Sequence, residues 1–172
     1  MKIKKAIALD TELIFLLLKS VAAHMREQGI MQWNDNYPTI EHVIADIVAE
    51  NVYLGMEDDT LLGVISIDAN QSPEYAEIPW QYTDGKVLVV HRLAVSPTAQ
   101  KKGVGRQLMD FALNKAIEEG YSSIRLDAYS QNQRTLSFYE KRGYEKRGEI
   151  YFPYREESFN CYEKNVRMGI GN

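Results

Sequence analysis

The sequence predicts a mixed α/β domain, and two of its features carry that prediction. The second half alternates strand-like and helix-like segments in the order β-α-β-α-β, a pattern typical of sheet strands joined by packed crossover helices. Within it, the run Lys86–Val95 is β-rich and almost continuously apolar, which indicates a strand covered on both faces. The chain has 172 residues, of which 45% are hydrophobic, so we expect a single domain over residues 1–172 with a substantial core.

Composition excludes several classes of protein. The formal net charge is −4, so the chain lacks the basic balance of a general nucleic-acid binder. Cys161 is the only cysteine, which excludes a disulfide within the chain, and we interpret it as a small buried hydrophobe. The first residues lack a signal-peptide core, and the apolar stretch 13–18 is far shorter than the ~20 residues that cross a bilayer. We therefore expect a cytoplasmic protein that binds neither nucleic acid nor a membrane.

The first half predicts two helices and three strands. Strands are expected at 2–7, 52–57 and 61–68, and the acidic turn 58–60 makes the last two a hairpin. Asp10 or Thr11 is expected to cap a helix that ends near Gln28, and Thr39 a helix that ends near Glu50. Apolar spacing predicts the buried faces of these helices, which are Leu13, Leu16, Leu17, Val21 and Met25 in the first and Ile40, Val43, Ile44 and Ile47 in the second.

The second half begins with a long irregular segment, 69–85, and long loops in compact domains are often functional. The clearest helix follows the strand at 86–95. It covers 104–119, buries Leu108, Ala112, Leu113, Ala116 and Ile117, and is stopped by Gly120. The remaining predicted elements are a strand at 124–129, a helix at 133–142 and strands at 144–149 and 159–166.

The segment Gln100–Arg106 predicts a phosphate-binding loop at the start of a helix. Helix starts present unpaired N–H groups and a partial positive charge, and both attract anions. Gly103 and Gly105 let a phosphate approach the backbone, and the segment also carries three basic residues, Lys101, Lys102 and Arg106. The glycines taken alone favour an ordinary helix cap with solvated lysines over a phosphate site. Neither the Walker loop nor the dinucleotide-binding fingerprint is present.

Three motifs in order favour the phosphate interpretation. The phrase HRLAV-x-P spans His91–Pro97, Q/R-x-x-G-x-G/A matches Gln100–Gly105, and Asn132 is followed by SFYEKRGY at Ser137–Tyr144. Together they resemble the GNAT superfamily of N-acetyltransferases, with matching order and spacing across Lys86–Gly148.

The resemblance implies a fold and a cofactor. The fold is α/β (α+β in some schemes), with a mixed, mostly antiparallel sheet, helices on both faces and a splayed parallel pair formed by 86–95 and 124–129. Acetyl-CoA is the implied donor, with coenzyme A as product. The implied cofactor-binding residues are Leu93, Ala94 and Val95, whose backbone pairs with the pantetheine arm, Gln100, Lys101, Lys102, Gly103, Val104, Gly105 and Arg106 around the pyrophosphate, and Asn132 and Phe138 along the arm.

The implied chemistry is direct attack of an amine on the thioester in a ternary complex. An N–H at or beside Val95 would stabilise the oxyanion, and Tyr139 occupies the position of the acid that protonates the leaving thiolate. The alternative role for Tyr139 is to pack its helix on the sheet. His91 is the first candidate for the base, and the other candidates are Glu77, Asp84 and Asp127. No spacing of His, Cys and acidic residues predicts a metal site.

The acceptor is expected to be a primary amine of a small molecule or peptide, selected by the segments 32–38 and 73–82. Trp33, Tyr37, Trp80 and Tyr82 could line its pocket or else cover the core, and Glu74 and Glu77 would attract a cation. The segment 151–157 is a further candidate wall. The alternative function is a non-catalytic module that senses acyl-CoA. The oligomeric state stays open, with a homodimer among the options.

Overall fold

The structure is a computed structural model that describes residues 1–153 and 155–167. Each element predicted from the sequence is present, with ends that differ by a few residues at most. In the described part of the chain the strands and α-helices are β1 (Lys2–Lys5), α1 (Thr11–Glu27), α2 (Ile40–Val48), β2 (Val52–Glu57), β3 (Thr60–Asp68), β4 (Lys86–Val95), α3 (Val104–Glu118), β5 (Tyr121–Tyr129), α4 (Gln133–Lys141), β6 (Glu145–Ile150) and β7 (Phe159–Asn165), and short 3₁₀ turns lie at Ala8–Asp10, Pro73–Glu77 and Pro97–Ala99.

The strands form one sheet in the order β1-β2-β3-β4-β5-β7-β6. β4 and β5 are parallel, whereas the pairs β1–β2, β2–β3, β5–β7 and β6–β7 are antiparallel. The parallel ladder runs from Lys86 with Tyr121 to Val90 with Leu126, and β4 then continues to Val95. This topology confirms the predicted mixed α/β class with a parallel strand pair.

The chain forms two compact units. Unit 1 comprises Met1–Ile67 and Arg92–Phe111, and unit 2 comprises Asp68–His91 and the described residues from Ala112 onward. The expectation that residues 1–172 form a single domain stays a prediction.

Unit 1 has a hydrophobic core to which α1, α2, β2 and β3 contribute. The predicted buried face of α1 is wrong in part, because Leu13 is 43% and Leu16 58% exposed. Residues 13–18 are all apolar, so their spacing alone cannot fix which side of the helix faces inward. The residues of α1 that are buried are Ile14, Leu17, Leu18, Val21 and Ala22. On α2, Val43 and Ile47 are buried as predicted, whereas Ile44 is 46% exposed.

The start of α1 also differs from the prediction. The Asp10 carboxylate accepts a hydrogen bond from the Ile7 N–H at 2.9 Å, and the Thr11 hydroxyl donates to the Ala8 carbonyl at 2.7 Å. These bonds stabilise a short 3₁₀ turn at Ala8–Asp10, so neither side chain caps α1. The turn also ends β1 at Lys5, two residues before the predicted end. At α2 the prediction is confirmed, because the Thr39 hydroxyl accepts from the His42 N–H at 3.4 Å.

Gly63 allows three elements of unit 1 to pack closely. A Cβ atom there would lie 2.9 Å from the Ala94 carbonyl oxygen and 3.0 Å from side-chain atoms of both Leu108 and Val104. Contacts this short exclude any larger residue, so β3 lies directly against the end of β4 and the start of α3. The packing fixes the two ends of the segment that connects β4 to α3.

In unit 2, β5 pairs with β7 from Ser123–Asn165 to Tyr129–Phe159. Because side chains alternate along a strand, Arg125 and Asp127 share one face of β5. Their partners on β7 are Glu163 and Cys161 respectively. One face of this strand pair therefore carries the buried side chains of Glu163 and Arg125 together with the half-buried Asp127. Leu88, Val89 and Val90 of β4 are buried too, as predicted for a strand covered on both faces.

Candidate active site

The segment between β4 and α3 has the backbone geometry of an anion site. Lys101 has φ 68° and Gly103 has φ 78°, so two left-handed residues lie just before the first residue of α3. Successive N–H groups around left-handed residues point into a common concavity, called a nest, which binds anions. A Cβ at Gly103 would lie 3.4 Å from Nη2 of Arg106, so the guanidinium lies beside the glycine. Lys101, Lys102 and Arg106 are exposed, and their charges make this concavity electropositive.

The strand end that precedes this nest belongs to the same unit. Leu93 and Val95 are half-buried, Ala94 is buried, and all three follow the last β4–β5 pair. The Ser96 N–H donates to the Leu62 carbonyl at 2.8 Å, which holds the strand end against β3. The role of these three residues toward a pantetheine arm stays a prediction.

Asn132 has a structural role that the sequence interpretation missed. It is buried, and its side-chain oxygen accepts from the Thr135 N–H at 3.3 Å, which makes it the N-cap of α4. Asparagine before a helical segment is a known capping signal and could have indicated this role. Phe138 lies on α4 and is half-buried, with its ring centroid 5.2 Å from that of Tyr139.

Tyr139 is buried on α4 and packs against other aromatic rings of unit 2. Its ring centroid lies 5.8 Å from that of Tyr144 and 6.3 Å from that of Tyr162. Burial, followed by the negative charge of Asp127, raises the pKa of Tyr139 well above its ordinary value. The phenol therefore stays protonated at neutral pH, as a proton donor requires.

His91 has a partner that was not foreseen. Its Nε2 lies 2.5 Å from Oδ1 of Asp68, the last residue of β3. A carboxylate accepts, so Nε2 carries the proton and Nδ1 remains as the acceptor of the neutral ring. This pairing fixes both the tautomer and the ring orientation. No spacing signal links the two residues, because β3 and β4 are separated by seventeen residues of irregular chain.

Asp127, an alternative base, is half-buried and hydrogen-bonded. The Tyr75 hydroxyl donates to its Oδ2 at 2.6 Å. Burial raises the pKa of Asp127, against smaller opposing effects of the Tyr75 hydrogen bond and the charge of His91. Cys161 is buried, as predicted, and burial and the charge of Asp127 raise the pKa of its thiol to about 12. The other candidate bases, Glu77 and Asp84, are exposed.

The structure gives the proposed acceptor residues different environments. Trp33 is 6% exposed and lies in the hydrophobic core of unit 1. Tyr37, in the same unit, is 37% exposed and accepts a hydrogen bond from Arg92 at 2.7 Å. Arg92 also forms an ion pair with Asp46.

In unit 2, Trp80 is half-buried. Its indole N–H donates to the Tyr75 carbonyl at 2.9 Å, and the Arg125 guanidinium lies 4.3 Å from its ring centroid. Of the further segment 151–157, Phe152 packs on Phe159 with 5.0 Å between ring centroids, and Tyr154 lies outside the described residues.

Within residues 1–153 and 155–167, no group of His, Cys, Asp and Glu side chains is arranged to hold a metal ion. Over the same residues, no helix has the length and apolarity needed to cross a membrane.

Comparison with known proteins identifies the family. The profile of the acetyltransferase (GNAT) family matches residues 18–144, so the chain belongs to this family. An uncharacterized N-acetyltransferase of Bacillus subtilis, YesJ, is 29% identical over 143 residues, which are 81% of this chain and 78% of YesJ.

Solved structures share the fold. A GNAT-family acetyltransferase from Streptococcus agalactiae has a TM-score of 0.83 at 22% identity, covering 95% of this chain and 94% of the other. The PaiA N-acetyltransferase of Thermoplasma acidophilum, solved in complex with coenzyme A, has a TM-score of 0.72 at 18% identity, covering 95% of this chain and 98% of the other.

Proposed function

We propose that the chain transfers an acetyl group from acetyl-CoA to a primary amine of a small molecule or peptide. The observation that carries the proposal is the electropositive nest at the start of α3, where Lys101 and Gly103 are left-handed and Arg106 lies beside the glycine. A diphosphate fits this geometry, because N–H groups at a helix start and the neighbouring basic side chains bind phosphate oxygens. Among diphosphate-containing ligands, membership of the GNAT family favours acetyl-CoA.

In this proposal, three parts of the chain would hold the cofactor. The N–H groups of residues 101–106 and the three basic side chains bind the diphosphate, and the β4 backbone at Leu93, Ala94 and Val95 binds the pantetheine arm. Asn132 and Phe138 contribute from the start and the first turns of α4. When bound, acetyl-CoA supplies the activated acetyl thioester.

Tyr139 would act as the proton donor of the reaction, and His91 would act as the proton acceptor. The protonated phenol of Tyr139 donates to the leaving sulfur. His91 accepts the amine proton at Nδ1, because Asp68 holds Nε2 in its protonated form. Asp127 is a weaker candidate base than His91, since the Tyr75 hydroxyl already donates a hydrogen bond to one of its oxygens.

The charge distribution favours a cationic acceptor. All 20 Lys and Arg residues lie within 1–26 or 86–172, whereas the segment 27–85 carries twelve of the 24 acidic residues. Both predicted acceptor segments, 32–38 and 73–82, belong to this acidic stretch. The acidic side chains within these two segments, Asp35, Glu74 and Glu77, would attract a cation and raise its rate of association.

A thiol-release assay with a panel of amines tests the proposal. We expect coenzyme A release from acetyl-CoA to require an amine and to be fastest with acceptors that carry more than one positive charge. Mass spectrometry of the amine identifies the acetylated product. Acetyl-CoA binding without thiol release across oligoamines, amino acids, aminoglycosides and lysine peptides would instead favour the acyl-CoA sensor.

A further inference from the structure

Unit 2 contains a fully buried carboxylate that binds the backbone of a loop. Glu163 lies on β7 and is 0% exposed. Its Oε1 accepts from the Gln81 N–H at 2.6 Å, and its Oε2 accepts from the Tyr82 N–H at 3.4 Å. These N–H groups belong to the segment 69–85, which has no strand partner to accept from them, and the Glu163 carboxylate supplies the acceptors.

Two arginines from neighbouring strands complete the arrangement around Glu163. Nε of Arg147, on β6, donates to Oε1 of Glu163 at 2.6 Å. Nε of Arg125, on β5, lies 3.9 Å from Oε2 of Glu163. Arg125 also donates to the Tyr82 carbonyl at 2.9 Å and to the Gln71 side chain at 2.7 Å. One buried charge network therefore contacts the loop near both of its ends.

The network extends through Trp80 to Tyr75 and Asp127. Arg125 supports the face of the Trp80 ring, and the Trp80 indole N–H donates to the Tyr75 carbonyl. Tyr75 in turn donates its hydroxyl to Asp127, two residues from Arg125 on the same face of β5. Glu163 thus fixes the loop that carries Trp80, and the same loop places Tyr75 on Asp127.

We propose that Glu163 is a positioning residue for acceptor binding, which it serves by fixing the loop that presents Trp80. The inference rests on the proposed function for the acceptor, but the placement of Trp80 by Glu163 is testable without turnover. Stability alone does not explain the charged cluster, because well-packed apolar side chains stabilise a core at least as well as buried ion pairs do. Glu163 and Arg125 instead bind main-chain N–H and C=O groups of the loop, which apolar side chains cannot do, so the cluster determines where the loop lies.

The experiment compares Glu163→Gln and Glu163→Asp with the control Glu145→Gln. Glu145 pairs with the same guanidinium, at 3.3 Å from Nη1 of Arg147, but its side chain is 63% exposed. The control therefore makes the same charge change beside Arg147 without touching the loop. Glu163→Asp retains the charge and shortens its reach, and it replaces Glu163→Gln if that variant does not fold.

The first readout is acrylamide quenching of Trp80 fluorescence in a Trp33→Phe background, which leaves one tryptophan. We expect the quenching constant to rise at least about twofold in Glu163→Gln, less in Glu163→Asp, and not at all in Glu145→Gln. Unchanged quenching in both folded Glu163 variants would overturn the proposal.

The second readout is steady-state kinetics. We expect Glu163→Gln to raise the acceptor KM by about 10-fold or more while the acetyl-CoA KM stays within about twofold, because only the acceptor wall moves. Equal changes in both KM values would contradict a positioning role for the acceptor. Absence of turnover in the wild type would overturn the proposed function and the acceptor role with it, while quenching would still decide whether Glu163 places Trp80.

Discussion

At the scale of single residues, Tyr139 combines a protonated phenol with deep burial among aromatic rings. We expect Tyr139→Phe to keep the fold, because the ring that packs is retained. Turnover should fall by about 10²-fold, the usual scale for loss of a general acid. Acetyl-CoA affinity, measured by calorimetry, should change little because backbone amides and basic side chains provide most of that binding.

A change of acyl donor separates proton donation by Tyr139 from simple packing. A donor with a more acidic thiol needs less protonation of its leaving group, so the defect of Tyr139→Phe should shrink with that donor. Near-normal turnover of the variant with acetyl-CoA would show that another group protonates the thiolate.

Gly103 offers a second residue-scale prediction with a matched control. Gly103→Glu should abolish the rise in melting temperature that acetyl-CoA produces in the wild type, because bulk and negative charge would fill the nest. Gly120→Glu is the control, since Gly120 also has a positive φ, 76°, and a Cβ there meets no atom within 4 Å. Both variants carry similar backbone strain. Retention of the shift in folded Gly103→Glu would place the diphosphate elsewhere.

At the scale of elements, the start of α2 predicts a pH dependence. The Thr39 N–H donates to Nδ1 of His42 at 2.9 Å, which requires that nitrogen to be unprotonated. Burial and then the charge of Arg92 lower the pKa of His42. The unfolded chain therefore binds more protons at this residue. The stability contributed by neutral His42 is fully present above about pH 6.5 and is lost as the pH falls through the lower folded pKa.

Urea unfolding between about pH 8 and pH 5 measures this effect. His42→Gln should reduce the loss of unfolding free energy on acidification, because its side chain does not titrate. His24→Gln is the control, as it removes a histidine without touching Thr39. An identical pH dependence in wild type and His42→Gln would show that other groups cause the acid sensitivity.

The positions of helices and strands were predicted well where the sequence pattern is compatible with only one kind of element. β4 and the start of α3 matched because a continuous apolar run and a glycine-rich helix start each have one straightforward interpretation. The buried face of α1 was not determined, since apolar residues surround the helix at 13–18 and tertiary packing selects the face. The hydrogen-bond partners of His91 and Asp127 could not be predicted from the sequence either. Asp68 and Tyr75 come from a distant strand end and an irregular loop, whose positions no local spacing encodes.

At the scale of the whole molecule, charge is segregated along the chain, with the cations outside residues 27–85. We expect kcat/KM for a linear triamine to fall steeply as ionic strength rises, because salt screens long-range attraction. A monoamine of equal length is the control and should show a shallower slope, with acetyl-CoA kept saturating for both. Equal slopes would show that the acidic segment does not select the acceptor.

The central claim is that the nest at the start of α3 binds acetyl-CoA, and isothermal titration calorimetry tests it most directly. Titration of the wild-type chain with acetyl-CoA should show one saturable site per chain, with affinity that weakens at higher salt because three basic side chains contribute. Gly120→Glu should bind like the wild type, and Gly103→Glu should not bind. No heat of binding to the folded wild type, even at about millimolar acetyl-CoA, would contradict the account.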